Sequence, residues 1–437
     1  MSPSSVAVIG GGLAGPEAAY QLARRGLEVE LYEMRPRVST PAHRTASLGE
    51  LVCSNSLKSE TPHTAPWLLK EELRRGGSLL LECAARAAVP GGQALTVDRE
   101  RFSAGIEAGL AAQPRVHILR QEVSALPTDR ITVLATGPLT STPLAEDLAR
   151  VTGRSSLAFY DAISPIVEAD SINHERVYAA SRYGKGGDDY LNCPLDRDEY
   201  ARFCAALAAA ESYPLRDFEQ PQYFEACLPI EELVRRGIET LRFGPMKPVG
   251  LPDPRTGRTP HAVVQLRREN VRSDSYNLVG FQNHLRFAAQ AEVLRLIPGL
   301  EHARFLRYGQ VHRNSYLQAP VVLTPALQLR ARPSVFVAGQ LCGTEGYVEA
   351  IATGYLAGTF AAVLATGGIP APPPRATALG SLLHYMIHAA PDAYAPANIT
   401  FDLLPPLAVR EPDRARRHQA QCEIALEAAG NWLKQIA

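Results

Sequence analysis

The stretch from Val6 to Glu33, VAVIGGGLAGPEAAYQLARRGLEVELYE, constrains the fold more than any other part of the chain. Val6 to Ile9 is a short apolar run, as expected of a strand covered on both faces. Gly10, Gly12 and Gly15 follow as GxGxxG, with Gly11, Leu13 and Ala14 between them. Over residues 16–25, Ala18, Ala19, Leu22 and Ala23 recur at helical spacing. Pro16 is tolerated in a first helical turn, where its missing N–H would have had no partner. A second apolar strand, Val29 to Tyr32, ends at Glu33. Gly10 permits a tight turn, Gly12 lets the backbone approach a pyrophosphate, and Gly15 lets helix and strand pack closely. The helix N-terminus offers N–H groups and positive potential to phosphate. Glu33 is placed to accept hydrogen bonds from ribose hydroxyls. Strand, glycine turn, helix and terminal acid together predict a dinucleotide-binding unit.

The remaining composition narrows the partners. The chain has 437 residues, long enough for two or three domains, and its 45 basic residues balance 45 acidic ones. Nucleic acid would have to meet a local basic patch rather than a basic chain. No apolar run reads as a bilayer span, and the N-terminus MSPSSVAVIGGG lacks a basic leader. The seven cysteines are odd in number and widely spaced, with no CxxC pair, so no metal site is expected and the thiols read as reduced in a cytoplasmic protein. One of them, Cys53, lies in GELVCSNSLK among small polar residues. Its surroundings do not decide between packing and chemistry.

Two distant segments bear on the nucleotide. Ile131 to Thr140, ITVLATGPLT, is an apolar strand ending in Ala-Thr-Gly at Gly137. Ser334 to Gly358 reads as a strand ending at Gly339 and Gln340, a glycine-rich turn, and a helix of small residues opened by Glu349 and Ala350. A helix start there suits a flavin's ribityl–phosphate region or pyrimidine edge. With the first motif, these segments resemble the glutathione-reductase-like flavoproteins. The resemblance implies an α/β fold: a bipartite Rossmann-like FAD-binding domain, assembled from residues 1–152 and 317–437, with an α+β domain inserted over 153–316. Within the insert, Arg197 to Ala210 reads as a helix whose Tyr200, Phe203, Cys204 and Leu207 share a face, making Cys204 core filler. The tail ends in a helix expected over Glu411 to Lys434.

A second thiol, Cys227, lies in YFEACLPIEELVRRG, just before Pro229. A helix starting after the proline would place Glu231 and Glu232 in its first turn and Arg235 and Arg236 in its last, and a thiol near a helix N-terminus has its thiolate stabilised. In one order along the chain stand GELVCSNSLKSE, FYDAISPIVEADSI, DYLNCP, FEACLPIEELVRRG, LRFGPMKPVGL, NLVGFQNHL and AGQLCGTEGYVEAIATGYLAG. This pattern resembles the folate- and FAD-dependent tRNA (uracil-5-)-methyltransferase family. The resemblance implies that 5,10-methylenetetrahydrofolate supplies a one-carbon unit to carbon 5 of a uridine in the T arm of tRNA by way of reduced FAD, with NADH or NADPH as reductant. Carbon 5 must be activated by a thiolate adding to carbon 6, and a base must then remove its proton. By resemblance Cys227 is the nucleophile and Cys53 the base, although the two roles are exchangeable on sequence grounds. A bipartite FAD fold also suits an RNA-binding protein whose flavin is structural, a wobble-uridine modification flavoprotein working with a partner, or a plain FAD/NAD(P)H oxidoreductase. The paired thiol strings favour the first reading.

The same resemblance makes Asn283 and His284 candidates for folate contact, His284 by stacking on the pterin, and places Tyr347 near flavin or folate. Arg286, Lys185 and Arg182 are candidates for a folate carboxylate or phosphates. Two basic clusters, Arg304, Arg307, His312 and Arg313, and Arg414, Arg416 and Arg417, are candidate RNA contacts, although such runs are more often solvated faces. Oligomeric state is open.

Overall fold

The computed structural model describes residues 5–154, 157–213 and 228–436. Val6–Ile9 is buried along its whole length and pairs in parallel with Val29–Tyr32 on one side and Thr132–Leu134 on the other. Val116–Leu119 closes one edge of this sheet. Beyond Thr132–Leu134 comes Arg332–Val337, also parallel, with Val335 opposite Thr132. An antiparallel hairpin with Gln328–Leu329 finishes that edge. Strands from both ends of the chain therefore make one sheet. Its apolar residues interdigitate with helices in a core drawn from residues 6–148 and 316–432.

Two helices define the closest packing in this core. The cradle helix, Ala14–Ala23, runs against Tyr347–Ala365. A Cβ on Gly354 would lie 2.3 Å from the Ala14 carbonyl oxygen, and one on Gly358 would lie 2.6 Å from that of Ala18. Only the absence of side chains lets these backbones touch. Contrary to the sequence expectation, Tyr347–Ala365 has the length and apolarity of a membrane span, but 78% of its most apolar stretch is buried inside the fold. Here that apolarity serves packing against the sheet.

A second, antiparallel sheet of six strands runs in the order Tyr178–Ala179, Tyr190–Leu195, Ala262–Arg268, Ser275–Leu278, Ile166–Glu168, Phe305–Arg307. It has its own core, drawn from residues 167–303. Helix Arg197–Ala209 starts in a capping box, with Asp196 and Glu199 each accepting from the other's backbone N–H. The helix buries Tyr200, Phe203, Cys204 and Leu207, the face its spacing predicts. A separate two-stranded antiparallel ribbon pairs Leu157–Ile163 with Gln310–Tyr316. Ile230–Arg236 is a short helix beginning immediately after Pro229, with its acids and arginines at the expected ends. The final helix is Arg414–Gln435, later in starting than expected because the Asp413 carboxylate caps it by accepting from Arg416 N at 2.8 Å.

Candidate active site

A cavity of about 500 Å³ opens at the carboxyl ends of the parallel strands. Its floor is the glycine turn. A Cβ on Gly15 would stand 1.8 Å from the Gly10 carbonyl oxygen, so only glycine lets the helix start so close to the strand end. Gly10 itself has φ +110° and lies against Ala135. Gly12 differs: nothing stands within 4 Å of where its Cβ would be, and that position faces the cavity. Leu13 already has helical φ and ψ, which is why the helix begins at Ala14 rather than Pro16, and no side chain caps its first turn. Uncapped N–H groups below an open glycine fit a pyrophosphate. Leu13 and Ala14 also line the wall, as do Ala135, Gly137, Gly339, Gln340 and Ala350 across the sheet.

Glu33 lines the cavity where the second strand ends. Its carboxylate accepts from Gly11 N at 2.9 Å and from Arg35 N and Nε at 2.8 and 2.9 Å. Burial pushes its pKa up, but the bonds from Arg35 and Gly11 more than offset this and hold the carboxyl below the usual carboxylate range. A ribose would therefore share an anion already oriented by Arg35. Arg35 in turn reaches Glu50 at 3.0 Å. The sequence reading missed Arg35; a charged residue two positions beyond the acid carries no distinctive pattern.

Cys53, half-buried, and Ser54 line the opposite wall. The Tyr347 hydroxyl oxygen accepts from Cys53 N at 2.7 Å and from Ser54 N at 3.1 Å, tying this loop to the start of the long helix. Lys58, in the same sequence string, also reaches the wall, with its backbone at φ +63°. Its ammonium donates to Glu349 Oε1 at 2.6 Å. Glu349 is fully buried, accepts from Ile399 N at 3.0 Å as well, and stands behind the wall rather than in it. His43 lies on the wall near Arg35; burial, then the charge of Arg35, holds its pKa down to about 4, so it is neutral at pH 7. Asn277 and Gln282 from the antiparallel body, and Asn314 from the ribbon, complete a polar rim. Among the described residues, no group of three metal-binding side chains occurs.

Other candidates sit elsewhere. Cys227 lies outside the described residues. Asn283 is buried and turned inward, donating to Phe281 O at 3.1 Å and accepting from Leu285 N. His284 donates its backbone N–H to Glu231 at 2.7 Å, and its ring stands 6.0 Å from Tyr213. Arg286 is exposed, 3.4 Å from Glu211 and over the Tyr213 ring. None of these three lines the cavity, although Gly280 and Gln282 beside them do. Arg182 donates to Lys247 O at 3.0 Å and Gln265 at 3.2 Å, and Lys185 is exposed.

Arg304 and Arg307 of the first basic cluster are separated by the fold. Arg304 is exposed and paired with Glu168, and His312 and Arg313 belong to the Gln310–Tyr316 strand. Arg307, by contrast, is only 7% exposed and donates to Val52 O at 2.7 Å, beside Cys53. As a strand residue pointing into the body interface, it is removed from any RNA-facing patch. Arg414 and Arg416 are exposed at the start of the last helix, and Arg417 bonds Glu411 O at 3.0 Å.

Comparison with known proteins places this arrangement. A family model described as "Glucose inhibited division protein A" matches residues 5–368. A methylenetetrahydrofolate--tRNA-(uracil-5-)-methyltransferase TrmFO of Solibacter usitatus is 62% identical over 438 residues, covering 98% of each chain. The chain belongs to the TrmFO family. A second TrmFO relative, from Koribacter versatilis, is 59% identical over 433 residues, again with 98% of each chain covered. A third, from Symbiobacterium thermophilum, is 52% identical over 436 residues. Among solved structures, GidA of Aquifex aeolicus superposes on 98% of this chain and 73% of its own with a TM-score of 0.71 at 18% identity, so this chain and GidA share a fold.

Proposed function

We propose that this chain transfers the one-carbon unit of 5,10-methylenetetrahydrofolate to carbon 5 of the T-loop uridine of tRNA, giving 5-methyluridine, with FAD as cofactor and NADH or NADPH as reductant. One observation carries the reading: the glycine cradle and the Cys53 loop line the same cavity, in a chain of the TrmFO family. The uncapped helix start and the open face of Gly12 would hold the FAD pyrophosphate, and Glu33, oriented by Arg35, would take the ribose. Bound and reduced, the flavin supplies the two electrons that separate a methylene from a methyl group.

The protein's own part is proton and thiol chemistry. A Cys227 thiolate adds to carbon 6 of the uracil and leaves an enolate whose carbon 5 attacks the one-carbon unit. Cys53 then takes the carbon-5 proton, and elimination returns the Cys227 thiolate. Tyr347 holds the Cys53 loop in reach through its two backbone bonds. The uridine must leave its stack to enter, and the polar rim of Asn277, Gln282 and Asn314 suits the edge of an extruded base.

A tRNA carrying 5-fluorouridine at the target tests the assignment, because fluorine cannot leave as the proton does and elimination stalls. Covalent trapping is expected in wild type and in Cys53→Ala, and is expected to vanish in Cys227→Ala while the flavin stays bound. Trapping that survives Cys227→Ala would overturn the nucleophile.

A further inference from the structure

The loop that carries Cys53 is gripped by three arginines from three separate elements. Arg99, opening the helix Arg99–Ala111, donates to Leu51 O. Arg307, ending the strand Phe305–Arg307, donates to Val52 O at 2.7 Å. Arg267, in the strand Ala262–Arg268, donates to Ser54 Oγ at 2.8 Å and Asn55 Oδ1 at 2.9 Å. Guanidinium groups thus hold the residues on both sides of the thiol. Two of these cations have an anion at hand: Arg99 pairs with Glu269 at 2.5 Å, and Arg267 lies in the field of the same carboxylate.

Arg307 does not. It is 7% exposed, and among the described residues it makes no ion pair. Its Nε is buried with no hydrogen-bond partner. Arg99 and Arg44, of its own sign, lower its pKa, while Cys53 and Tyr347, which become anions on ionising, act in the opposite direction. Burial and that repulsion bring its pKa down to about 10, so it still carries its charge at neutral pH. A buried cation without a counter-charge is costly, and the group one residue from its bonded carbonyl is a thiol able to become one. Glu50 pairs with Arg35, His43 is neutral, and burial pushes the Tyr347 phenol further up from its ordinary value.

We propose that Arg307, backed by Arg99 and Arg267, is a positioning residue that keeps Cys53 as a thiolate at neutral pH. The thiolate is the form able to remove the carbon-5 proton, so this role rests on the proposed function. The ionisation itself does not, and it is measurable with neither folate nor tRNA present.

The test is the pH profile of Cys53 alkylation by iodoacetamide in the full-length flavoprotein, resolved by peptide mass spectrometry. Wild type is expected to inflect at least about one unit below the ordinary thiol value of about 8.5. Arg307→Gln should move the inflection up by about one unit or more and slow alkylation at neutral pH by about tenfold, while Arg307→Lys restores most of the rate. An ordinary or raised wild-type inflection, or a superimposable Arg307→Gln profile, would overturn the proposal. Should Arg307→Gln not fold, thiolate ultraviolet absorbance in wild type minus Cys53→Ser decides. An inflection below the ordinary value supports the thiolate, and one at or above it refutes it.

Discussion

Replacing Gly12 by alanine separates cofactor binding from folding. No atom stands within 4 Å of the new methyl, and Gly12 has no left-handed φ, so the fold accommodates it without strain. Removing a glycine also lowers the entropy of the unfolded chain, which stabilises by about 0.4–1 kcal/mol where the backbone is compatible. The flavin-free variant should thus unfold at the wild-type denaturant midpoint or slightly above it. The methyl occupies the space through which the backbone meets a pyrophosphate. Forcing a methyl into a close-packed contact costs about 1–3 kcal/mol, which is roughly a five- to 150-fold weakening of FAD affinity. Gly15→Ala is the contrasting variant. Its methyl would stand 1.8 Å from the Gly10 carbonyl oxygen, so it should lower both stability and flavin content. Urea unfolding of the apo-proteins and fluorescence titration with FAD measure the two effects. Wild-type FAD affinity in Gly12→Ala would refute the cradle assignment.

Other perturbations follow from the same geometry. His43 is held down to about 4 in the fold against 6.5 unfolded, so the unfolded chain takes the proton first. Its contribution is complete above pH 6.5 and is lost as pH falls from there toward 4; by pH 5 the loss should amount to about 2 kcal/mol, and it should be absent in His43→Gln when urea midpoints at pH 7 and 5 are compared. Gly354→Ala would drive a methyl to 2.3 Å from the Ala14 carbonyl oxygen and should cost about 1–3 kcal/mol in thermal unfolding; an unchanged midpoint would mean the two helices are not in contact. Lys58→Met leaves the fully buried Glu349 without its cation and should cost about 3 kcal/mol, with Glu349→Gln in the same chain recovering part of it; purely additive effects would contradict a coupled pair.

The nucleotide cradle was legible because its determinants are local. A buried strand, three glycines and an amphipathic helix lie within some twenty residues, and each acts on its neighbours. The return strand Arg332–Val337 and its small-residue helix were legible for the same reason, although nothing in the sequence could register Val335 against Thr132. Charge was the poorest guide. Arg304 and Arg307 read alike in sequence, yet the alternation of a strand sends one to solvent and the other into the interior. Asn283 reads as a polar loop residue and is in fact spent on the local turn. The clamp on Cys53 joins residues 99, 267 and 307 to residues 51–55, a convergence that only tertiary packing creates. Lys58 and Arg35, each paired with an acid that the sequence did single out, were hidden because pairing leaves no periodic trace.

The most direct test of the central claim follows a labelled carbon. Purified protein with FAD, NADH or NADPH, unmethylated tRNA and 5,10-methylenetetrahydrofolate labelled in its one-carbon unit should yield label in 5-methyluridine at the T loop, and none when folate is omitted. Unlabelled tRNA under these conditions, or methylation that proceeds on S-adenosylmethionine without folate, would contradict the account.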